Sequence, residues 1–118
     1  MDIEIIRKYC IEKKSTTESF PFGEHTLVFK VCGKMFLLMN LDSHPLQFNV
    51  KCNPGKAEEF REIYSSVIPA FHMNKKHWNT IILNGQIQSK LIREMIDESY
   101  VLVIKSLPLK ERKKIGPY

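Results

Sequence analysis

The chain has 118 residues, of which 43% are hydrophobic and 26% charged. These fractions are close to those of soluble globular domains, so they exclude disordered, collagen-like and fibrous classes, and the length fits one domain with a single core. The formal net charge of +5 favours acidic partners such as nucleic acid or anionic lipid, without choosing between them.

The positive charge is concentrated in three parts of the chain. Residues 25–57 have four lysines and one acidic residue, residues 72–93 have four basic residues and no acidic one, and residues 105–114 have five basic residues and one acidic one. The short segments 58–62 and 94–98 are acidic. We therefore expect local basic patches.

The cysteine pattern and the hydropathy indicate the cellular compartment in which the protein works. Cys10, Cys32 and Cys52 are odd in number and lack a CxxC spacing, which argues against a disulfide framework and a zinc knuckle and favours a reducing environment. Charges interrupt the first 14 residues, and no apolar run approaches the length of a membrane span. We expect a cytoplasmic protein that makes no membrane contact.

The first half of the chain predicts one helix and then strands. Asp2 is a suitable N-cap, Cys32-Gly33 predicts a tight turn, and Pro21-Phe22-Gly23 is interpreted as a turn whose phenylalanine anchors the core. Strict alternation of apolar and polar residues before Lys51 predicts a strand with one buried face. The predicted elements are a helix over residues 3–14, a turn-forming stretch over 15–23, and strands over 27–31, 35–39 and 46–51.

The second half predicts two helices around a hairpin. Asn53-Pro54 is a helix-start signal, and Pro69 is expected to end that helix. A polar, basic turn within residues 71–78 leads into a β-branched strand over 78–83, which together predict a second hairpin. A long helix follows from Ser89 and is expected to stop before Pro108, and residues 110–118 are predicted to be frayed or loosely docked.

This order of elements predicts an α+β fold: an antiparallel sheet of about five strands with helices packed on one face. Residues 1–108 would form the single domain, and residues 109–118 a basic C-terminal tail.

Five segments of the chain, in order, resemble the MmcQ/YjbR family of small bacterial proteins. The run from His72 to Thr80, HMNKKHWNT, is the most specific of them. Asn84 stands where the family commonly has aspartate before the glycine. This departure affects the local geometry of a turn and not the family resemblance. The resemblance implies a fold similar to the CyaY/frataxin-like sandwich, described as a double-wing DNA-binding arrangement, and a presumption of DNA binding. The matching segments are residues 15–23, 29–36, 51–54, 72–85, and 96–100 with 105–108.

Lysines at two turns and at the end of one strand are the main candidate contacts to DNA. Lys75 and Lys76 at a hairpin tip could clamp a phosphate backbone with Trp78 stacking behind them, or they could simply form a solvated turn beside a core tryptophan. Lys51 would project with Gln47 and Asn49 from one strand face, and the alternative is an ordinary solvent face. Lys30 and Lys34 would form the other wing. The predicted DNA contacts are Lys30, Lys34, Lys51, Lys75, Lys76, His77 and Asn79.

An alternative function is a protein-interaction or small-ligand module that uses a sheet face or a pocket near His72 and Trp78. We expect a monomer in either case. No GxSxG, HExxH, P-loop or GxGxxG pattern is present, so no catalytic residue is assigned and the chain is not expected to be an enzyme, although a Cys52–His72 pair stays open until its geometry is known.

Metal binding is not expected. His72 and His77 with Cys52 do not provide a reliable tetrahedral set, and no fourth ligand is evident. The predicted first helix has more basic than acidic residues, whereas iron binding by hard ligands needs a dense row of carboxylates. No cofactor is predicted.

Overall fold

The computed structural model describes residues 1–118 as an α+β fold with a six-stranded antiparallel sheet in the order β1-β2-β3-β4-β6-β5. The helices are α1 (Ile3–Ile11), α2 (Pro54–Ile63), α3 (Ser89–Lys105) and α4 (Leu109–Ile115). The strands are β1 (Thr16–Ser19), β2 (Thr26–Val31), β3 (Lys34–Asn40), β4 (Gln47–Lys51), β5 (Val67–Pro69) and β6 (Trp78–Ile82). The predicted fold class is confirmed.

The turn between β2 and β3 has two residues, as predicted. Val31 pairs with Lys34, and Cys32 and Gly33 between them have φ values of 48° and 81°. Positive φ at both central positions is the geometry whose twist matches that of the flanking strands, and glycine adopts it without steric cost. The turn holds Lys34 at the start of β3, directly beyond the end of β2.

One face of the sheet forms the core. Leu27, Met39, Phe48 and Ile81 are register partners across four strands, and all are buried. Helices α1 and α3 pack on this face. The Ser99 hydroxyl of α3 donates to the Phe36 carbonyl at 2.6 Å and lies 2.8 Å from the Lys51 backbone N–H, which donates to it, so α3 is fixed to both β3 and β4.

The opposite face has no helix over it. Its central row of register partners is Val28, Leu38, Asn49, Thr80 and Ile68, which mixes apolar and polar side chains. The segments above this row are loops, namely the one between β1 and β2 and the one between β5 and β6. We call this surface the open face.

Three local predictions are corrected. α1 ends at Ile11 rather than at residue 14, and residues 16–19 of the predicted turn form the edge strand β1, paired to β2. α2 ends at Ile63, and the segment that ends in Pro69 is β5, so the second hairpin begins before Pro69 and not after it. Proline is tolerated there because β5 is an edge strand.

The C-terminal segment is helical and docked, which corrects the prediction of a frayed tail. In α4, Ile115 is buried against the core. The Lys14 ammonium also donates to the Pro117 carbonyl at 3.4 Å. Residues 110–115 contain four basic residues and a single apolar one, Ile115, so the sequence gave little signal for this docking. None of the four helices combines the length and the apolar content needed to span a bilayer.

Candidate functional site

The open face contains a groove of 540 Å³. Leu38, Gln47 and Thr80 contribute to its floor from β3, β4 and β6. Phe22 and Phe71 line it from the two overlying loops. The strands place the floor rigidly, because each of its residues belongs to a register-paired strand in the middle of the sheet.

The polar side chains of the floor differ in whether their hydrogen-bonding groups already have partners within the protein. The Thr80 hydroxyl donates to the Asn49 side-chain oxygen at 2.6 Å, and the Asn49 amide lies 3.7 Å from the Met73 sulfur, to which it donates. The side-chain amide of Gln47 makes no hydrogen bond within the protein, although its backbone N–H donates to the Ser43 hydroxyl at 3.1 Å. Gln47 therefore offers a free donor and a free acceptor inside the groove.

Phe22 and Phe71 are unusually exposed for phenylalanine, at 62% and 61% of their surface. The expectation that Phe22 anchors the core is therefore wrong. The Lys75 ammonium lies 5.1 Å from the centroid of the Phe71 ring, a cation–π distance, which places one predicted lysine at the rim of the groove.

A second cavity, of 610 Å³, adjoins the groove and is basic. Lys30, Lys34 and Lys51 line it together with Trp78 and the C-terminal end of α3, and Phe22 and Met35 line both cavities. Lys51 and Trp78 are register partners on β4 and β6. The structure thus brings Lys51 together with Lys30 and Lys34, which the sequence assigned to a separate turn. We call this cavity the lysine pocket.

These lysines have no acidic neighbours. None of the residues that line the groove or the lysine pocket is aspartate or glutamate. Lys30, Lys34, Lys51, Lys75 and Lys76 form none of the ion pairs in the molecule. Glu24 and Asp42 instead pair with His25, at the other end of β2. The open face is therefore positive at one end only.

Asn79 is not a surface contact, which corrects its prediction. Its side chain is buried, accepts from the Arg61 Nε at 2.6 Å and donates to the Ala57 carbonyl at 3.3 Å. Arg61 also donates to the backbone carbonyl of Lys75. This network ties the loop between β5 and β6 to α2, so Arg61 and Asn79 position that loop. Arg61 was missed because it stands in an acidic segment of the sequence.

The remaining predicted residues lie around the same loop. His72 lines the groove, and Trp78 lines the lysine pocket. Lys76 is exposed, and its backbone N–H donates to the Asn74 side chain at 3.0 Å. His77 is half-buried, and its carbonyl accepts from the Cys52 N–H at 2.7 Å. The pocket candidates His72 and Trp78 therefore belong to two adjoining cavities.

Cys52 and His72 do not form a reactive pair. Cys52 lines a small cavity with Phe60 and Met95 on the helical side, whereas His72 lies on the open face. Burial, with a smaller contribution from Glu98, raises the pKa of the Cys52 thiol to about 11. A thiol with a raised pKa is a poor nucleophile at neutral pH. No three His, Cys, Asp or Glu side chains come close enough together to hold a metal ion.

Fold and site together define a class: small α+β domains that cover one sheet face with helices and expose a groove with a basic end on the other. The YjbR family model matches residues 11–102, and the chain belongs to the YjbR family. This confirms the family that the sequence resembles.

Two Escherichia coli proteins are similar to the chain over nearly its whole length. YbdF of strain O157:H7 is 34% identical, with 97% of this chain and 93% of that protein covered. YjbR of strain K12 is 29% identical, with 96% of each covered.

Two crystal structures show the same fold. The Deinococcus radiodurans protein DR2400, a DUF419 domain, superposes with a TM-score of 0.92 at 36% identity, covering 98% of this chain and 88% of that one. A Pseudomonas syringae protein superposes with a TM-score of 0.74 at 27% identity, covering 86% and 98%.

Proposed function

We propose that the protein is a non-catalytic DNA-binding protein of the cytoplasm that holds the phosphate backbone on its open face. The observation that carries this proposal is the lysine pocket, which three lysines line and no aspartate or glutamate does. Three free cysteines, two of them buried, agree with a reducing compartment.

Unpaired lysines on a rigid surface are suited to phosphate. Lys30, Lys34 and Lys51 are carried by β2, β3 and β4, which are adjacent strands, so their backbone spacing is fixed before any ligand arrives. A lysine that neutralises a phosphate releases a condensed counterion, which gives an entropic, salt-sensitive gain in affinity. Lys75, Lys76 and His77, on the neighbouring loop, would extend the contact beyond the pocket.

The second candidate function is a small-ligand module. The groove volume of 540 Å³ falls within the range of ligand-binding cavities, and its aromatic walls and free Gln47 amide suit a planar ligand. The adjoining lysines would require that ligand to be anionic. A ligand of this kind would be held by the same residues, so binding measurements with oligonucleotides must separate the two functions.

The test is the salt dependence of binding to a fluorescein-labelled oligonucleotide, measured by anisotropy between about 50 and about 200 mM salt. Replacing all three pocket lysines, as Lys30→Ala/Lys34→Ala/Lys51→Ala, should weaken binding and reduce the slope of log affinity against log salt by about 2 to 3. This change corresponds to the loss of one phosphate contact per lysine.

The matched control removes the same charge from the helices. Lys8→Ala/Lys90→Ala/Lys105→Ala replaces three exposed lysines outside both cavities, and it should leave the affinity and the slope close to those of the unmodified protein. Equal losses in both triple variants would show that only net charge matters. Absence of any salt-sensitive binding at micromolar protein would refute DNA binding and leave the small-ligand function.

A further inference from the structure

We infer that the groove binds unpaired bases, so that the preferred target is single-stranded DNA. This inference rests on the proposed function and goes beyond it, because lysines alone would serve a duplex equally well. It depends on three features of the open face: the two exposed phenylalanines, the free Gln47 amide in the same groove, and the position of the lysine pocket.

The phenylalanines provide stacking surfaces. Phe22 and Phe71 come from different loops, line the same cavity and each leave more than half of their surface exposed. A base presents an apolar face that stacks on an aromatic ring whatever its sequence, but only when it is not already stacked in a duplex. Two such rings at one groove are therefore suited to a strand with splayed bases.

The floor adds a hydrogen-bonding group for base edges. The amides of Asn49 and Gln47 both face the groove, and Asn49 is engaged by Thr80 and Met73. Gln47 is unengaged and can donate to and accept from a base edge. A duplex would present its phosphates first and would not lower its base edges to the floor of a groove with aromatic walls.

The lysine pocket fixes where the backbone runs. Phe22 and Met35 line both cavities, so a base stacked on Phe22 would have its own phosphate next to Lys30, Lys34 and Lys51. Lys75, at the Phe71 ring, provides a second cation on the opposite loop. The groove thus offers a phosphate site beside each stacking surface, which matches the alternation of base and phosphate along one strand.

The experiment compares three fluorescein-labelled ligands on the full-length protein. These are an oligothymidylate of about 12 nucleotides, an abasic deoxyribose-phosphate chain of the same length, and the duplex formed by the oligothymidylate with its complement. The abasic chain keeps the phosphates and removes every base, so it isolates the stacking contribution. We expect the oligothymidylate to bind at least about tenfold more tightly than the abasic chain or the duplex.

The matched variants are Phe22→Ala/Phe71→Ala and Phe20→Ala. Phe20 is 50% exposed in the same loop as Phe22 but lines neither cavity, so it controls for the loss of an exposed ring. The double variant should lose roughly five- to 150-fold in affinity for oligothymidylate per stacked base and should not change for the abasic chain. Phe20→Ala should change neither, and thermal melting checks that each variant is folded.

The outcomes separate this inference from the proposed function. Equal affinity for oligothymidylate and the abasic chain, or no effect of Phe22→Ala/Phe71→Ala in a folded protein, overturns the inference. If the triple lysine variant still lowers binding in that case, backbone binding stands without base stacking. If none of the three ligands binds in a salt-sensitive way, the proposed function fails and the inference fails with it.

Discussion

The two faces of the sheet use lysine in opposite ways. On the helical side, Lys13 lies 2.5 Å from Asp97, and Lys56 lies 3.6 Å from Glu98, both carboxylates of α3. On the open face, none of the five lysines predicted from the sequence has a carboxylate partner. The same residue type therefore serves the folded structure on one side and remains available for a ligand on the other.

The difference extends to the aromatic residues. Phe36 of β3 is fully buried and lies edge-on to Tyr100, with ring centroids 5.3 Å apart. Phe22 and Phe71 on the open face have most of their surface in solvent. Exposed aromatic area costs solvation free energy, so its presence beside unpaired charge supports the binding surface that we propose. Substitutions on the two faces should separate stability from binding.

The largest expected effect is the truncation of a core ring. Phe36→Ala should lower the free energy of unfolding by about 3–5 kcal/mol, because it removes buried area and leaves a cavity. Phe71→Ala should change it by no more than about 0.5 kcal/mol, because that ring is already exposed. Urea unfolding followed by circular dichroism measures both. Similar losses in the two variants would contradict the assignment of Phe71 to a binding surface.

An intermediate effect is expected from the two kinds of lysine. Asp97 accepts from both Lys13 and the Tyr9 hydroxyl, at 2.5 and 2.6 Å, so Lys13→Ala should destabilise the protein by up to about 1 kcal/mol. Lys51→Ala removes no ion pair and should leave the stability within about 0.5 kcal/mol. The comparison uses the same urea unfolding. A larger loss for Lys51→Ala than for Lys13→Ala would mean that Lys51 is structural.

The smallest effect is the loss of stability as the pH rises just past about 9. Burial raises the pKa of Cys10 to about 12 and that of Cys52 to about 11, from a usual value of 9. The unfolded chain therefore loses these protons first, so stability falls as pH rises above 9 toward the folded-state values. Urea unfolding at stepped pH should show this loss, and it should be reduced in Cys10→Ala/Cys52→Ala. A free energy of unfolding that rises with pH in this range would contradict the predicted direction of the change.

Much of the fold could be predicted where periodicity or turn chemistry was strong. The alternation in β4 and the Cys32-Gly33 turn are both observed. β1 was missed because its four residues, TTES, have no apolar alternation and are held by backbone pairing to β2. α4 was missed because one buried residue, Ile115, anchors a basic segment.

The candidate site, like the fold, could be predicted from the sequence only in part. Strand alternation was enough to expect Lys51 beside Gln47 and Asn49 on one face, and this expectation is confirmed. The walls could not be predicted, because Phe22 and Phe71 lie in loops whose course depends on tertiary contacts. Asn79 was placed on the surface because sequence alone does not show that the guanidinium of Arg61 reaches it from α2.

The edges of the sheet also bear on how the open face can be used. β5 has only three residues and ends in a proline, which has no N–H to donate to another strand. β1 has four residues, and its Glu18 is held by the Arg7 guanidinium at 2.8 Å. Short edges with proline or charge are poor templates for strand addition. The sheet is therefore poorly suited to lateral growth, and we expect a partner to engage side chains rather than the backbone of an edge strand.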